Sequence, residues 1–414
     1  MWCFFFFKCD LGGHAAVAVT QFRIHVNSMR HELAEAHASK QTATSRSPGA
    51  SGRQAEHGEE PSRIVVLYAR LSGYVAACLR ALKDHTRAKL LIVRYPPADN
   101  APFDNRHFAW VDHLYDRTAH STDDLQDIVA EFEPDAVLMS GWFDRGYLSV
   151  TRRLRRRGVP IIAGCDAQWT GSLRQQVGRL IAPWYLHSAI DALWVAGERQ
   201  RQFARRLGYR GARCLEGYYA CDWPRFAAAF DPAADGPKSF LFVGRYIRRK
   251  GIDTLLAAYR RYRRRVDHPW PLICAGTGEE ADLLQDVEGV GDRGFIQPDR
   301  LPNLMQEGGA FILPSRIEPW GVVVHEAAAV GLPLLCSTAS GASVHLVCEG
   351  YNGFTFEPGD AGHLARLMEL VSQMDAAERA AMRRASHALS KQYTPERWAA
   401  TFVRGVRAQQ AQAG

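Results

Sequence analysis

Residues 310–331 read AFILPSRIEPWGVVVHEAAAVG. The apolar run Ala310–Leu313 is halted by Pro314 and a polar loop, so it reads as a short buried strand. From Gly321 to Val330 nothing breaks the chain until Gly331, and that stretch reads as a helix. A strand, a loop and a helix make half of a parallel βαβ unit, and the same alternation recurs on both sides.

Upstream, RIVVLYA (63–69) reads as a strand and YVAACLRALKDH (74–85) as a helix. Then come AKLLIV, PDAVLMS, a helix through 145–157, VPIIAG, a helix around 173–187, ALWVA, a helix from 198 to about 207, and ARCLEG. The small-residue and proline-rich AAAFDPAADGPK (227–238) marks a break. The alternation restarts with SFLFVG, a helix over 250–265, WPLICAG, a helix over 279–286, RGFIQ and a short helix near 301–306. After 310–331 follow LPLLCS, a short helix near 342–347, FTFEP, and two or more closing helices, one near 361–371 and another from 395 to about 410.

The expected fold is therefore α/β: two Rossmann-like, doubly wound parallel-sheet domains. The boundaries are 63–226, a linker at 227–238, 239–392, and a final helix and tail over 393–414. A length of 414 residues suits two domains, and 47% hydrophobic with 23% charged residues suits a globular chain. Residues 1–62 are set apart. MWCFFFFKCD is too short for a secretory apolar region, and 39–62 is polar and Ser/Gly-rich, so this stretch is expected to be a disordered or mis-started extension.

The nine cysteines form no CxxC and no cluster with zinc spacing, which fits a reducing cytoplasm. The net charge of +7 is concentrated in TRRLRRRG (151–158), GERQRQFARRLGYRGAR (197–213) and YRRYRRRV (259–266). Such runs are either solvated helix faces or a surface for anionic partners.

Ligands of open parallel sheets sit beyond the carboxyl ends of strands. The helix starting at Gly321 has free backbone N–H groups and a positive dipole end, which suit a phosphate. Glu318 precedes that end, and Glu326 lies roughly 7 Å along the axis at about 1.5 Å per residue. Ionised carboxylates accept hydrogen bonds, so each calls for hydroxyls. Hydroxyl-rich groups on either side of a phosphate describe a nucleotide sugar. The cations that such a diphosphate requires stand in VGRYIRRKGID (243–253), where Arg245 follows a strand and Lys250 opens a helix.

GR, four residues and KG at 244–251, followed by PSRIEPWGVVVHEAAAVGLPLLCS and NGFTFEPGD, closely resemble the retaining family-4 glycosyltransferases of the GT-B fold. The match is strong over 239–360 and extends to 63–410 in layout. The resemblance implies that the two domains face each other across a cleft and that the final helix crosses back to the first. It places Glu318 at the transferred sugar and Glu326 at the ribose. It gives the diphosphate to the amides of Gly321, Val322 and Val323 with Gly244, Arg245 and Lys250, and puts Gly276, Gly278 and the Gln297–Pro298 turn near the nucleotide. It further implies retention of anomeric configuration, no metal and no cofactor beyond the UDP- or GDP-linked substrate. The chain has no Asp-x-Asp triplet.

The sequence departs from that pattern in the first domain. Where relatives carry a histidine facing the donor sugar, PIIAGCDAQWTGS (160–172) offers Asp166, read either as an acceptor for sugar hydroxyls or as a turn residue. The usual Gly-Gly loop is reduced to Ser72–Gly73. Gly73, Trp142, Trp169 and Arg174 are the acceptor-side candidates, and the two tryptophans are either sugar-stacking or packing residues. A glycan or lipid-linked acceptor in surface polysaccharide or glycolipid synthesis is implied, at the inner face of an anionic membrane. Other readings remain. GTGEEA (276–281) fits a weak dinucleotide fingerprint and hence an NAD-dependent oxidoreductase. An epimerase or phosphorylase on the same fold and a basic nucleic-acid module are further alternatives, and the last leaves the spaced glutamates unexplained.

Overall fold

The computed structural model describes residues 60–96, 108–233 and 236–413, which fall in one unit, Glu60–Gly414. Residues 1–59 and the middle of the proposed linker lie outside the described residues. The first sheet has seven strands: β1 Arg63–Tyr68, β2 Lys89–Arg94, β3 His113–Asp116, β4 Ala136–Met139, β5 Ile161–Cys165, β6 Ala192–Val195 and β7 Cys214–Glu216. Their order is β3-β2-β1-β4-β5-β6-β7, parallel throughout. Alternate residues of β1 enter different cores. Ile64 and Val66 face one layer, and Val65 and Leu67 the other, as a strand covered on both sides requires.

The second sheet has six strands: β8 Phe240–Val243, β9 Leu272–Ala275, β10 Val290–Asp292, β11 Ala310–Leu313, β12 Leu334–Ser337 and β13 Gly353–Phe356. Their order is β10-β9-β8-β11-β12-β13, again parallel. In each sheet the order reverses beside the first strand. The switch point of the second sheet therefore lies between β8 and β11, whose carboxyl ends carry Gly244–Arg245 and Pro314–Gly321.

The helix Pro395–Ala413 packs onto the first half, putting Trp398, Phe402 and Val406 into the same core as Val75 and Leu79 of the helix Gly73–Thr86. Trp398 lies 4.6 Å from Trp194 and its Nε1 donates to the Tyr218 carbonyl at 2.7 Å. The expected return of the last helix to the first half is thus observed.

Three expectations need correction or completion. The strand read at RGFIQ (293–297) lies just before it, at Val290–Asp292, and 293–297 is a loop. The helix expected over 279–286 is a single 3-10 turn, Ala281–Leu284, because Asp286 at φ 55° and Gly289 at φ 81° turn the chain into β10. The edge strand β3 and the helices Thr122–Phe132, Trp223–Ala227 and Ala376–Ser390 had no counterpart in the strand-and-helix pattern.

Candidate active site

The loops after β8 and β11 are joined by their backbones. The Arg249 carbonyl accepts from the amides of Arg316 at 2.8 Å and Ile317 at 3.3 Å. Gly251, at φ 74°, passes so close to the second loop that a Cβ would stand 2.3 Å from the Pro314 carbonyl oxygen. This seam sets Lys250 against Glu318, and the ammonium donates to the carboxylate, which also receives the Ser315 hydroxyl at 3.4 Å. Both side chains are largely buried. The sequence reading gave Lys250 to the diphosphate and Glu318 to the sugar. In the structure they hold one another.

Arg245 lies beside the pair. Burial and the Arg249 guanidinium draw it below the usual arginine range, with Glu318 opposing. Arg249 is half-buried with Nε unpartnered, so it is a third cation at this end of the sheet. Three adjacent basic residues in a run give no signal of which one points inward.

The helix Val322–Ala329 begins at Gly321, whose φ of 93° is one that glycine adopts freely. A Cβ there would approach Glu318 Cγ at 3.1 Å and Ser340 Oγ at 3.2 Å. No side chain caps the helix, so its first amides, at Val322 and Val323, remain open to a ligand. One and a half turns along, Glu326 borders a cavity of about 760 Å³ that Gly73, Tyr74, Asp222 and Pro298 also line. Burial, with the Asp222 charge second, pushes the Glu326 carboxyl up to about 8.

Gly244, Gly276 and Gly278 have a packing role that the sequence left open. A Cβ on Gly276 would lie 1.9 Å from the Gly244 carbonyl oxygen, and one on Gly278 would lie 2.2 Å from that of Tyr246. Tyr246 N donates to the Thr277 carbonyl at 2.8 Å. These glycines let two loops touch beside Arg245, which removes the reason to read GTGEEA as a dinucleotide turn. Gln297 opens the turn at Pro298, and Pro298 Cβ would stand 3.0 Å from a Cβ at Gly73.

The first half reaches this site through Asp166. Its carboxylate accepts the Tyr219 hydroxyl at 3.2 Å, and Tyr219 meets Tyr74 edge-on at 5.8 Å. The charges of Asp166 and Glu326 both act on the Tyr74 hydroxyl, after burial as the main influence. Gln168 and Gln200 donate to the Pro319 carbonyl at 3.1 and 2.6 Å, and Gln200 also donates to that of Asp166 at 3.3 Å. The loop carrying Glu318 is thus fastened to both halves. Neither glutamine nor Tyr74 was singled out by spacing, since Gln168 and Gln200 meet Pro319 across 151 and 119 positions and Tyr74 meets Tyr219 from the far end of the first half.

The other three acceptor-side candidates belong to the first half. Trp169 packs on Phe203, with its ring 5.0 Å from the Arg206 guanidinium. Trp142 packs against the core of the first sheet. Arg174 is exposed in the first turn of the helix Leu173–Tyr185.

His325 lies on the same helix as Glu326, one residue before it. The imidazole is buried, its Nδ1 accepts the Cys221 amide at 3.0 Å, and its Nε2 lies 2.9 Å from the Ser390 carbonyl. The first contact fixes the neutral tautomer with the proton on Nε2. Residues 221 and 390 are where the chain passes between the halves.

Residues 226–388 match the family model described as glycosyl transferases group 1. Glycogen synthase of Mycobacterium tuberculosis is 30% identical over 243 residues, covering 56% of this chain and 57% of the relative. The O-antigen chain mannosyltransferase B of Escherichia coli is 28% identical over 175 residues, 37% of this chain and 46% of that one. The chain spans about half the length of these curated relatives. Among solved structures, Anabaena HepE in complex with UDP superposes with a TM-score of 0.65 at 16% identity, covering 82% of this chain and 98% of that one. Sucrose-phosphate synthase from Thermosynechococcus elongatus gives 0.62 at 17%, covering 82% and 97%. The architecture is the GT-B fold. The oxidoreductase reading finds no support among these similarities.

Proposed function

We propose that the chain moves a glycosyl group from a nucleoside diphosphate sugar to an acceptor hydroxyl, with retention, as in the family-4 enzymes that it resembles. The observation that carries this reading is the uncapped start of the helix Val322–Ala329, with Glu318 and three cations on one side and the Glu326 carboxyl on the other. The diphosphate accepts from the Val322 and Val323 amides. Arg245, Lys250 and Arg249 balance its charge and stabilise it as it leaves. Glu318 orients the hexose and Glu326 the ribose, each accepting from hydroxyls, while Asp166 faces the sugar from the other half.

Glycosidases need two carboxyl groups flanking the scissile bond. Glu318 and Glu326 instead bracket a helix end, so the departing phosphate is the better base. The acceptor oxygen bonds to the anomeric carbon on the face that the diphosphate vacates. The bond from that carbon to the phosphate oxygen breaks, and the acceptor proton passes to a phosphate oxygen. The three cations make a metal and a separate cofactor unnecessary in this reading.

The group 1 match and relatives named for glycogen, O-antigen and lipopolysaccharide core synthesis support a glycan or lipid-linked acceptor. No helix among the described residues is long and apolar enough to cross a membrane. The assignment includes work at the inner membrane face.

The test is a screen of UDP- and GDP-linked hexoses for nucleotide release, followed by NMR assignment of the product anomer. UDP is the first choice because HepE is named with it. Release with a retained anomeric configuration, insensitive to EDTA, is expected. Inversion, epimerised donor, a sugar phosphate product or no affinity for any nucleoside diphosphate would overturn the reading.

A further inference from the structure

The helix Leu173–Tyr185 follows β5, and only Ala182 among its residues is buried. Leu173, Val177, Leu180 and Trp184 are 85, 46, 60 and 47% exposed. At about 100° per residue these four fall within an arc of about 60°, almost diametrically opposite Ala182. The apolar stripe of this helix therefore points away from the protein. Elsewhere among the described residues the large exposed apolar side chains are scattered.

Along the helix itself and its flanking loops the charge has one sign. Between Asp166 and Asp191 the sequence contains no acidic residue. Arg174 and Arg179 are exposed on opposite flanks of the stripe. Arg206 covers Trp169 just before the helix, and Arg152 lies 5.0 Å from the Tyr185 ring while donating to the Tyr185 carbonyl at 3.1 Å. Arg153, Arg156 and Arg157 are exposed around the end of the helix Arg145–Arg155 that carries Arg152.

We infer that the helix Leu173–Tyr185 is an interfacial anchor that lies in the surface of an anionic lipid bilayer. Leu173, Val177, Leu180 and Trp184 enter the acyl boundary, and the arginines stay at headgroup level. A second copy of the chain fits this face poorly, because a symmetric contact would set one arginine collar against another. An anionic bilayer offers the opposite charge and an apolar layer at the depth of the stripe. The inference adds a surface to the lipid-linked part of the proposed function. It is tested without any sugar donor, so either can fail alone.

The experiment is co-sedimentation of the full chain with vesicles of phosphatidylcholine, alone or mixed with phosphatidylglycerol. Binding to the mixed vesicles only, weakening with salt, is expected. Leu180→Glu with Trp184→Glu should cut the bound fraction roughly tenfold. Both side chains are exposed, so the unfolding temperature should stay the same. Brominated acyl chains should quench tryptophan fluorescence in the parent chain, and this quenching should fall in Trp184→Phe. No binding to mixed vesicles, equal binding by the double variant, unchanged quenching in Trp184→Phe, or a solution dimer dispersed by the double variant would overturn it.

Discussion

Glu318 and Glu326 look alike in the sequence, but their surroundings set them to different tasks. Glu318 is held by Lys250 and Ser315, so its position is fixed before any ligand arrives. Glu318→Gln keeps the shape and loses the charge. The expected outcome is a fall in kcat of about a hundredfold with nucleotide affinity changed by less than about threefold, measured by turnover and by titration calorimetry with UDP or GDP. Near-parental turnover would remove Glu318 from the chemistry. Glu326 is held protonated near neutrality, its carboxyl pushed up to about 8. A ribose that donates to the carboxylate requires that proton to leave. Nucleotide affinity should therefore rise with pH up to about 8, by at most about tenfold per unit, and the part due to this group should vanish in Glu326→Gln. Calorimetry across pH in both proteins checks the sign. The paired spacing of these glutamates was legible from the sequence. Their protonation was not, because it depends on burial and on Asp222, a hundred residues upstream.

Among the elements, the seam between the loops after β8 and β11 matters most. Gly251→Ala forces a Cβ to within 2.3 Å of a backbone oxygen at a φ of 74°. It should destabilise the protein by about 1–3 kcal/mol and weaken nucleotide binding together, read by urea unfolding and calorimetry. Gly350→Ala is the control, since its φ of 71° is similar but nothing lies within 4 Å, so it should cost stability alone. Strand and helix elements with long apolar or amphipathic runs were legible. The edge strand His113–Asp116 was not, since both flanks of an edge strand need not be apolar and its first two residues are exposed. The helix Ala376–Ser390 did carry a readable signal in Asp375 and Glu378, which form a reciprocal capping box. The 3-10 turn at Ala281–Leu284 shows the opposite error, where residues compatible with a helix are stopped by the turn into β10.

At the scale of the whole molecule, burial holds four histidines among the described residues below their usual pKa: His187, His325, His345 and His387. For His325 the value falls to about 4. A group whose folded pKa is depressed takes up protons more readily in the unfolded chain. Its stabilising contribution is complete above about pH 6.5 and is lost as pH falls toward 4. For His325 alone the loss has an upper bound of about 3 kcal/mol. Urea midpoints should drop steadily between pH 7 and pH 5, and the drop should be shallower in His325→Gln even though that variant starts lower. An unchanged slope would show that this ring does not carry the acid response. The two-sheet layout was visible in the alternation of strands and helices. The manner of joining was not, because it rests on contacts such as Gln200 with Pro319 and Trp398 with Tyr218, which join residues 119 and 180 positions apart.

His325 also bears on whether the halves can be exchanged between proteins. A chimera spliced near 221 and 390 would put both backbone partners of a single imidazole at its junctions. A foreign residue still offers an amide and a carbonyl there, so the ring stays satisfied only if both junctions keep their present positions. Grafting the second half onto a foreign first half should therefore lower the urea midpoint most where either junction is displaced.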